Sequence, residues 1–257
     1  MQSLEPAASA GLSFSRTRMS IFPGFRPAAL TFLRSLKRNN RREWFQENRE
    51  TYDEAILNPM RALVEELDVR FARFAPEIVG DSKRSIFRIY RDVRFSTDKS
   101  PYKTHAACWF SHRNASHGVG SETHGAGAGY YFHLEPGASI VAGGIWMPPR
   151  PSLNLLREAI ANRPKEFART LQGVAFKRRF EKLSEEQMLK RLPRGFEPGH
   201  PAERWLRYVS FTVSAPLADK DALDRKLGEK VERDFRLMLP LVRWLNSALG
   251  YPRAERR

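Results

Sequence analysis

Residues 129–146 read GYYFHLEPGASIVAGGIW, and the way this stretch divides decides the fold class. Two short runs rich in aromatic and β-branched residues, 129–134 and 139–146, flank Glu135-Pro136-Gly137, a turn signal. The spacing predicts a β-hairpin. Gly143-Gly144 inside the second run predicts a bulge or a close backbone approach, and Pro148, Pro149 and Pro151 end it. Upstream, 85–95 has the β-branched and aromatic content of a strand, and 105–110 is a second short candidate. Downstream, 208–214 alternates Val209, Phe211 and Val213 with Ser210, Thr212 and Ser214, the pattern of a half-buried strand. Between them, 111–128 is a Gly/Ser/His-rich loop expected to be exposed and mobile.

Helical periodicity surrounds this strand-rich middle. Pro27 suits a first turn, with Leu30, Leu33 and Leu36 following. Asn40 with Glu43 predicts a capping box for a second helix carrying Phe45, Tyr52 and Ile56. Asn58-Pro59 is read as ending that helix and starting a third, striped with Leu63, Leu67, Phe71 and Phe74. Helices resume from Ser152, another is read over 183–192, and the last runs from Asp219 to about Leu249 with a kink at Pro240. Strands clustered between flanking helices predict an α+β fold: a single domain whose central, mainly antiparallel sheet (strands within about 85–146 plus 208–214) is packed by N-terminal and C-terminal helices. Residues 1–18 are expected to be a disordered tail, 19–252 the domain, and 253–257 a basic tail, with Met19 a second plausible translation start.

Composition excludes several classes. The 257 residues include five Trp and 17 Phe, which rules out a disordered chain. No apolar run is long enough to span a bilayer, so no membrane partner is expected. The single cysteine, Cys108, excludes a disulfide framework and paired-cysteine zinc sites; it reads as a buried small residue in a cytoplasmic protein. The phosphate-binding P-loop, the G-x-G-x-x-G fingerprint, H-E-x-x-H and G-x-S-x-G are all absent. His112, His117 and His124, even with Glu122, sit in a loop too loose to preorganise a metal, so no metal ligands are assigned and the cofactor is left unknown. A formal net charge of +15 directs attention to anionic partners.

The chemistry concentrates in residues 83–103, KRSIFRIYRDVRFSTDKSPYK, with seven cations against Asp92 and Asp98. On a strand, Arg84, Arg88, Tyr90, Asp92 and Arg94 share one face. Arginine forks in alternation suit phosphate or carboxylate oxygens. Arg88, Arg91, Arg94, Lys99, Tyr102 and Lys103 are therefore the candidate ligand-binding residues, and Asp92, Asp98 and His133 the candidate catalytic ones. The competing reading is architectural, with Asp92 simply neutralising Arg88 and Arg94.

Taken in order, several motifs resemble the DUF2461 family of uncharacterised proteins. They are Asn39-Asn40 with Trp44-Phe45, then Arg88-Ile89-Tyr90-Arg91-Asp92-Val93-Arg94-Phe95-Ser96 followed by Asp98-Lys99 and Pro101-Tyr102-Lys103. Further on come Gly129-Tyr130-Tyr131-Phe132-His133-Leu134, Gly143-Gly144-Ile145-Trp146 and Leu192-Pro193-Arg194-Gly195-Phe196. The resemblance spans about Phe22 to Leu249 and implies one domain with no activity to carry over. From the residues themselves, the expected function is binding of, or action on, a small anionic or phosphorylated ligand. Two alternatives stand beside it: a nucleic-acid-binding protein using its basic surface, with 177–179 (Lys-Arg-Arg) as a second basic stretch, and a non-catalytic interaction protein.

Overall fold

The computed structural model describes residues 22–94, 96–115 and 127–254. Five strands, β1 (Ile78–Val79), β2 (Ala106–His112), β3 (Gly129–Leu134), β4 (Ile140–Ile145) and β5 (Phe211–Pro216), form one sheet in the order β1-β2-β3-β4-β5. Every neighbouring pair is antiparallel. The 129–146 hairpin is thus the centre of an α+β meander.

The N-terminal helices are α1 (Pro27–Arg38), α2 (Arg42–Glu47), α3 (Arg49–Tyr52) and α4 (Asn58–Phe74). Asn58-Pro59 does not end a helix: a π-helical turn over Asp53–Leu57 carries the chain from α3 into α4. A proline lacks the N–H that an unbroken α-helix needs there, and a wider turn absorbs the misfit. After β4 come α5 (Arg150–Asn162), α6 (Pro164–Thr170), α7 (Val174–Phe180) and α8 (Glu203–Leu206). The final region is split into α9 (Asp219–Ala222) and α10 (Leu227–Ala248), the latter holding Pro240.

Period-two alternation along the strands divides the sheet into two unlike faces. Cys108, Phe110, Tyr130, Phe132, Val141, Ile145, Phe211 and Val213 are buried against the helices. Helix α10 packs across β4 and β3, and Phe235 stacks on Tyr130 with ring centroids 4.4 Å apart. The expected close approach at Gly143-Gly144 is real and is no bulge, because β4 and β5 pair without interruption. Gly144 has φ 121°, and a Cβ there would sit 2.0 Å from the Phe211 carbonyl oxygen, a position only glycine fills. Trp109, Tyr131, His133, Ala142 and Thr212 point the other way and stay partly accessible.

Three further readings change. The 85–95 segment is not a ladder strand: it touches the sheet through an isolated bridge, Ile86 with Cys108, and then folds on itself through Tyr90 with Tyr102. Asp92 and Asp98 accept the backbone N–H groups of Arg94 (3.2 Å) and Ser100 (2.9 Å), which turns the chain locally and competes with strand pairing. Residues 183–192 form no helix. Their backbone bonds to the β5 side instead, with Ser184 N–H donating to Thr212 O (2.8 Å) and Leu189 N–H to Arg207 O (2.7 Å). Asn40 does not cap α2. Its amide brackets the Tyr102 backbone, donating from Nδ2 to Tyr102 O (2.8 Å) and accepting Tyr102 N–H at Oδ1 (3.0 Å).

Candidate functional site

The open face of the sheet forms the floor of a cleft of about 390 Å³. The two irregular segments are its walls: Phe87 and Lys103 on the β2 side, Ser184 and Glu186 on the β5 side. Trp109, Tyr131, Ala142 and Thr212 rise from the strands, and Trp146, 48% exposed, stands just beyond β4. The lining is mostly apolar and aromatic with a few polar groups, the usual make-up of a small-molecule site.

Lys103 carries the cleft's positive charge. Its ammonium lies 5.4 Å from the Phe87 ring centroid and forms no ion pair among the described residues. Burial, with nearby Arg91 second, lowers its pKa from the ordinary lysine value. A partly desolvated cation that lacks a carboxylate partner is stabilised by an anionic ligand.

On the same face, β3 alternation lines up Tyr131, His133 and Glu135 as a hydrogen-bonded chain. The Tyr131 hydroxyl is 2.9 Å from His133 Nδ1, and His133 Nε2 is 3.0 Å from Glu135 Oε2. His105 comes from the other side of the β2–β3 pairing and stacks on His133 with centroids 4.2 Å apart. Burial, then the neighbouring His133, holds the His105 pKa down at about 4, so its imidazole is neutral at pH 7. Burial likewise pushes the Tyr131 phenol up to about 12.

The arginine-rich segment is arranged differently. Arg94 donates to Asp92 from Nε (3.0 Å) and Nη2 (2.7 Å), and Arg91 is paired with Asp98. Arg94 holds the Asp92 carboxyl at about 2, and Ser100 followed by Arg91 does the same for Asp98, which makes both weak proton acceptors. Lys99 Nζ donates to the Val93 carbonyl (3.0 Å), and Arg88 is exposed. Tyr102 is buried, its ring 4.2 Å from that of Phe45. The structure therefore brings Lys103 and His133 to the open face of the sheet, while Arg88, Asp92, Arg94, Asp98 and Lys99 belong to an exposed, largely self-paired loop.

Of the loop histidines, His117 and His124 lie outside the described residues, as does Glu122; His112 is buried and its Nε2 is 2.9 Å from the Pro252 carbonyl oxygen. Cys108 is fully buried, and burial pushes its thiol pKa up, as expected of an inert packing residue. Sequence reasoning missed His105 and Glu135. The i, i+2 spacing of His133 and Glu135 on a strand was a visible signal; the contribution of His105 depends on strand register.

No helix among the described residues is long and apolar enough to cross a membrane. No curated protein and no solved structure matches the chain. Residues 28–244 match the family described as Conserved hypothetical protein (DUF2461), and the chain belongs to that family.

Proposed function

We propose that the protein binds a small organic anion, a carboxylate or phosphate ester with a planar body, in the cleft on the open face of its sheet. The observation that carries this reading is Lys103, a half-buried ammonium with a lowered pKa that lines an aromatic cleft and has no carboxylate partner among the described residues. Lys103 takes the charged end, and Trp109, Tyr131 and Trp146 offer faces to the planar part. Ser184, Thr212 and Ser214 supply hydroxyls for orientation. Where the bound molecule reacts, the reading assigns proton transfer to Tyr131, hydrogen-bonded to His133, rather than to Asp92 or Asp98.

A thermal-shift series on the full chain tests this, using AMP, 4-hydroxybenzoate, inorganic phosphate and a 12-nucleotide single strand at low and high salt. An aromatic anion at 100 times its Kd adds about 2.7 kcal/mol, or about 5–11 °C in a domain of this size. The expected shift survives high salt, disappears in Lys103→Met and persists in Arg94→Ala. Loss in Arg94→Ala with retention in Lys103→Met moves the site to the arginine loop. A shift only with the oligonucleotide, abolished by salt, replaces the reading with backbone binding to nucleic acid.

A further inference from the structure

We infer that His105, His133 and Glu135 form a binding site for one first-row divalent transition metal, of the zinc or ferrous class. One ligand atom from each of the three residues lies within 4.8 Å of the other two. All three side chains are half-buried, and His105 also lines the cleft.

The fold builds this set from strand geometry. His133 and Glu135 project from one face because they are two residues apart on the β3 line. The pairing of Ala106 with Leu134, extended by one position, sets His105 opposite Glu135 and diagonal to His133. The 3.0 Å separation of His133 Nε2 and Glu135 Oε2 is already close to the roughly 3.3 Å between two ligands on a tetrahedral ion with bonds of about 2.0–2.1 Å. A metal replaces that hydrogen bond with little movement of either side chain.

Donor chemistry agrees. Two imidazoles and one carboxylate are the set used by zinc hydrolases and by non-haem iron sites, and three protein donors leave a position open. With Nε2 on the metal, His133 keeps its proton on Nδ1 and donates it to the Tyr131 oxygen 2.9 Å away, the supporting contact that fixes ring orientation in metal-bound histidines. An ion with an open position, beside Lys103, strengthens the preference for an anion. The site nevertheless stands apart from the anion reading, since metal binding is measured without any organic ligand.

The experiment uses tag-free, chelator-stripped full-length protein. Calorimetric titration with Zn(II) is expected to give one site per chain, and Co(II) a visible d–d spectrum that Zn(II) abolishes. Glu135→Gln and His105→Asn are expected to weaken Zn(II) binding at least tenfold, and His133→Asn about a hundredfold. Melting temperatures of the metal-free variants show that each is folded, and the near-isosteric Glu135→Gln serves should a histidine variant fail. Absence of Zn(II) and Co(II) binding by the wild-type protein overturns the site. Binding undiminished in all three variants also overturns it, by assigning the metal to other histidines.

Discussion

Tyr130 and Tyr131 are neighbours on one strand, yet they belong to different chemistries. Tyr130 is fully buried in a stack with Phe235 (4.4 Å) and Phe71 (5.6 Å). Tyr131 faces the cleft, bonded to His133. The same contrast runs through the whole sheet. One face is closed by α4, α10 and the N-terminal helices with rings and aliphatic side chains. Among the described residues the other is left uncovered, carries His105, His133, Trp109 and Thr212, and is bounded by irregular chain. A sheet needs one apolar face to fold; the second is free to hold polar groups, and here it holds His105, His133 and Tyr131.

The largest effect that separates the faces is a pair of truncations. Phe235→Ala removes a ring from the closed face, where the surrounding aromatics cannot all collapse into the space, and is expected to cost about 3–5 kcal/mol in denaturant unfolding. Trp146→Ala removes a larger but 48% exposed ring from the rim of the open face and is expected to change stability by less than about 1 kcal/mol. Comparable losses for the two would mean that the open face is a second core rather than a site.

A smaller effect tests the cleft wall. Asn40 stands in for a missing strand, its amide pairing with both backbone groups of Tyr102. Removing it leaves a partly buried N–H and carbonyl without partners, so Asn40→Ala is expected to cost about 1–3 kcal/mol. The local signature matters more than the total: amide hydrogen exchange should accelerate over 89–103 and remain unchanged in β3 and β4. Uniform acceleration instead would tie the wall to the sheet as one cooperative unit.

The hairpin at 129–146 was legible because its information is local: alternation, a Pro-Gly turn and flanking prolines. The helical stripe ending at Phe74 was legible for the same reason, as was the last one from Leu227 onward, although its expected start at Asp219 is a separate short helix. The strand reading of 85–95 and the helix reading of 183–192 failed where local turns or contacts elsewhere in the chain decided the backbone, and Asn58-Pro59 hid a local π-turn. In 85–95 the exposure pattern does alternate, with Arg88, Tyr90, Asp92 and Arg94 outward and Ile89 buried, but alternation does not guarantee a ladder. Asp92 and Asp98 turn the backbone instead. In 183–192 the leucines suggest a helix, while the hydrogen bonds go to the β5 side. Lys103 and His133 could be singled out as reactive types. Their distinction from Arg88 and Asp92, and the convergence of His105 with Glu135, come from register and burial, which no local pattern encodes.

The finest comparison returns to the two tyrosines, each converted to phenylalanine. Tyr130 Oη is buried and has no hydrogen-bond partner among the described residues. Its desolvation is a cost without a return, so Tyr130→Phe keeps the ring stack and discards the penalty. The expected result lies between no change and about 1 kcal/mol of added stability. Tyr131→Phe breaks the bond to His133 Nδ1 on a half-exposed face, where water replaces part of what is lost, and is expected to cost about 0.5–1 kcal/mol. Opposite signs from adjacent, chemically identical substitutions isolate the environment as the variable. If Tyr130→Phe instead destabilises by more than about 1 kcal/mol, its hydroxyl is satisfied by an internal water. The closed face would then hold a polar pocket behind the strand that carries Tyr131, and the division between a dry face and a reactive one would have to be redrawn at β3.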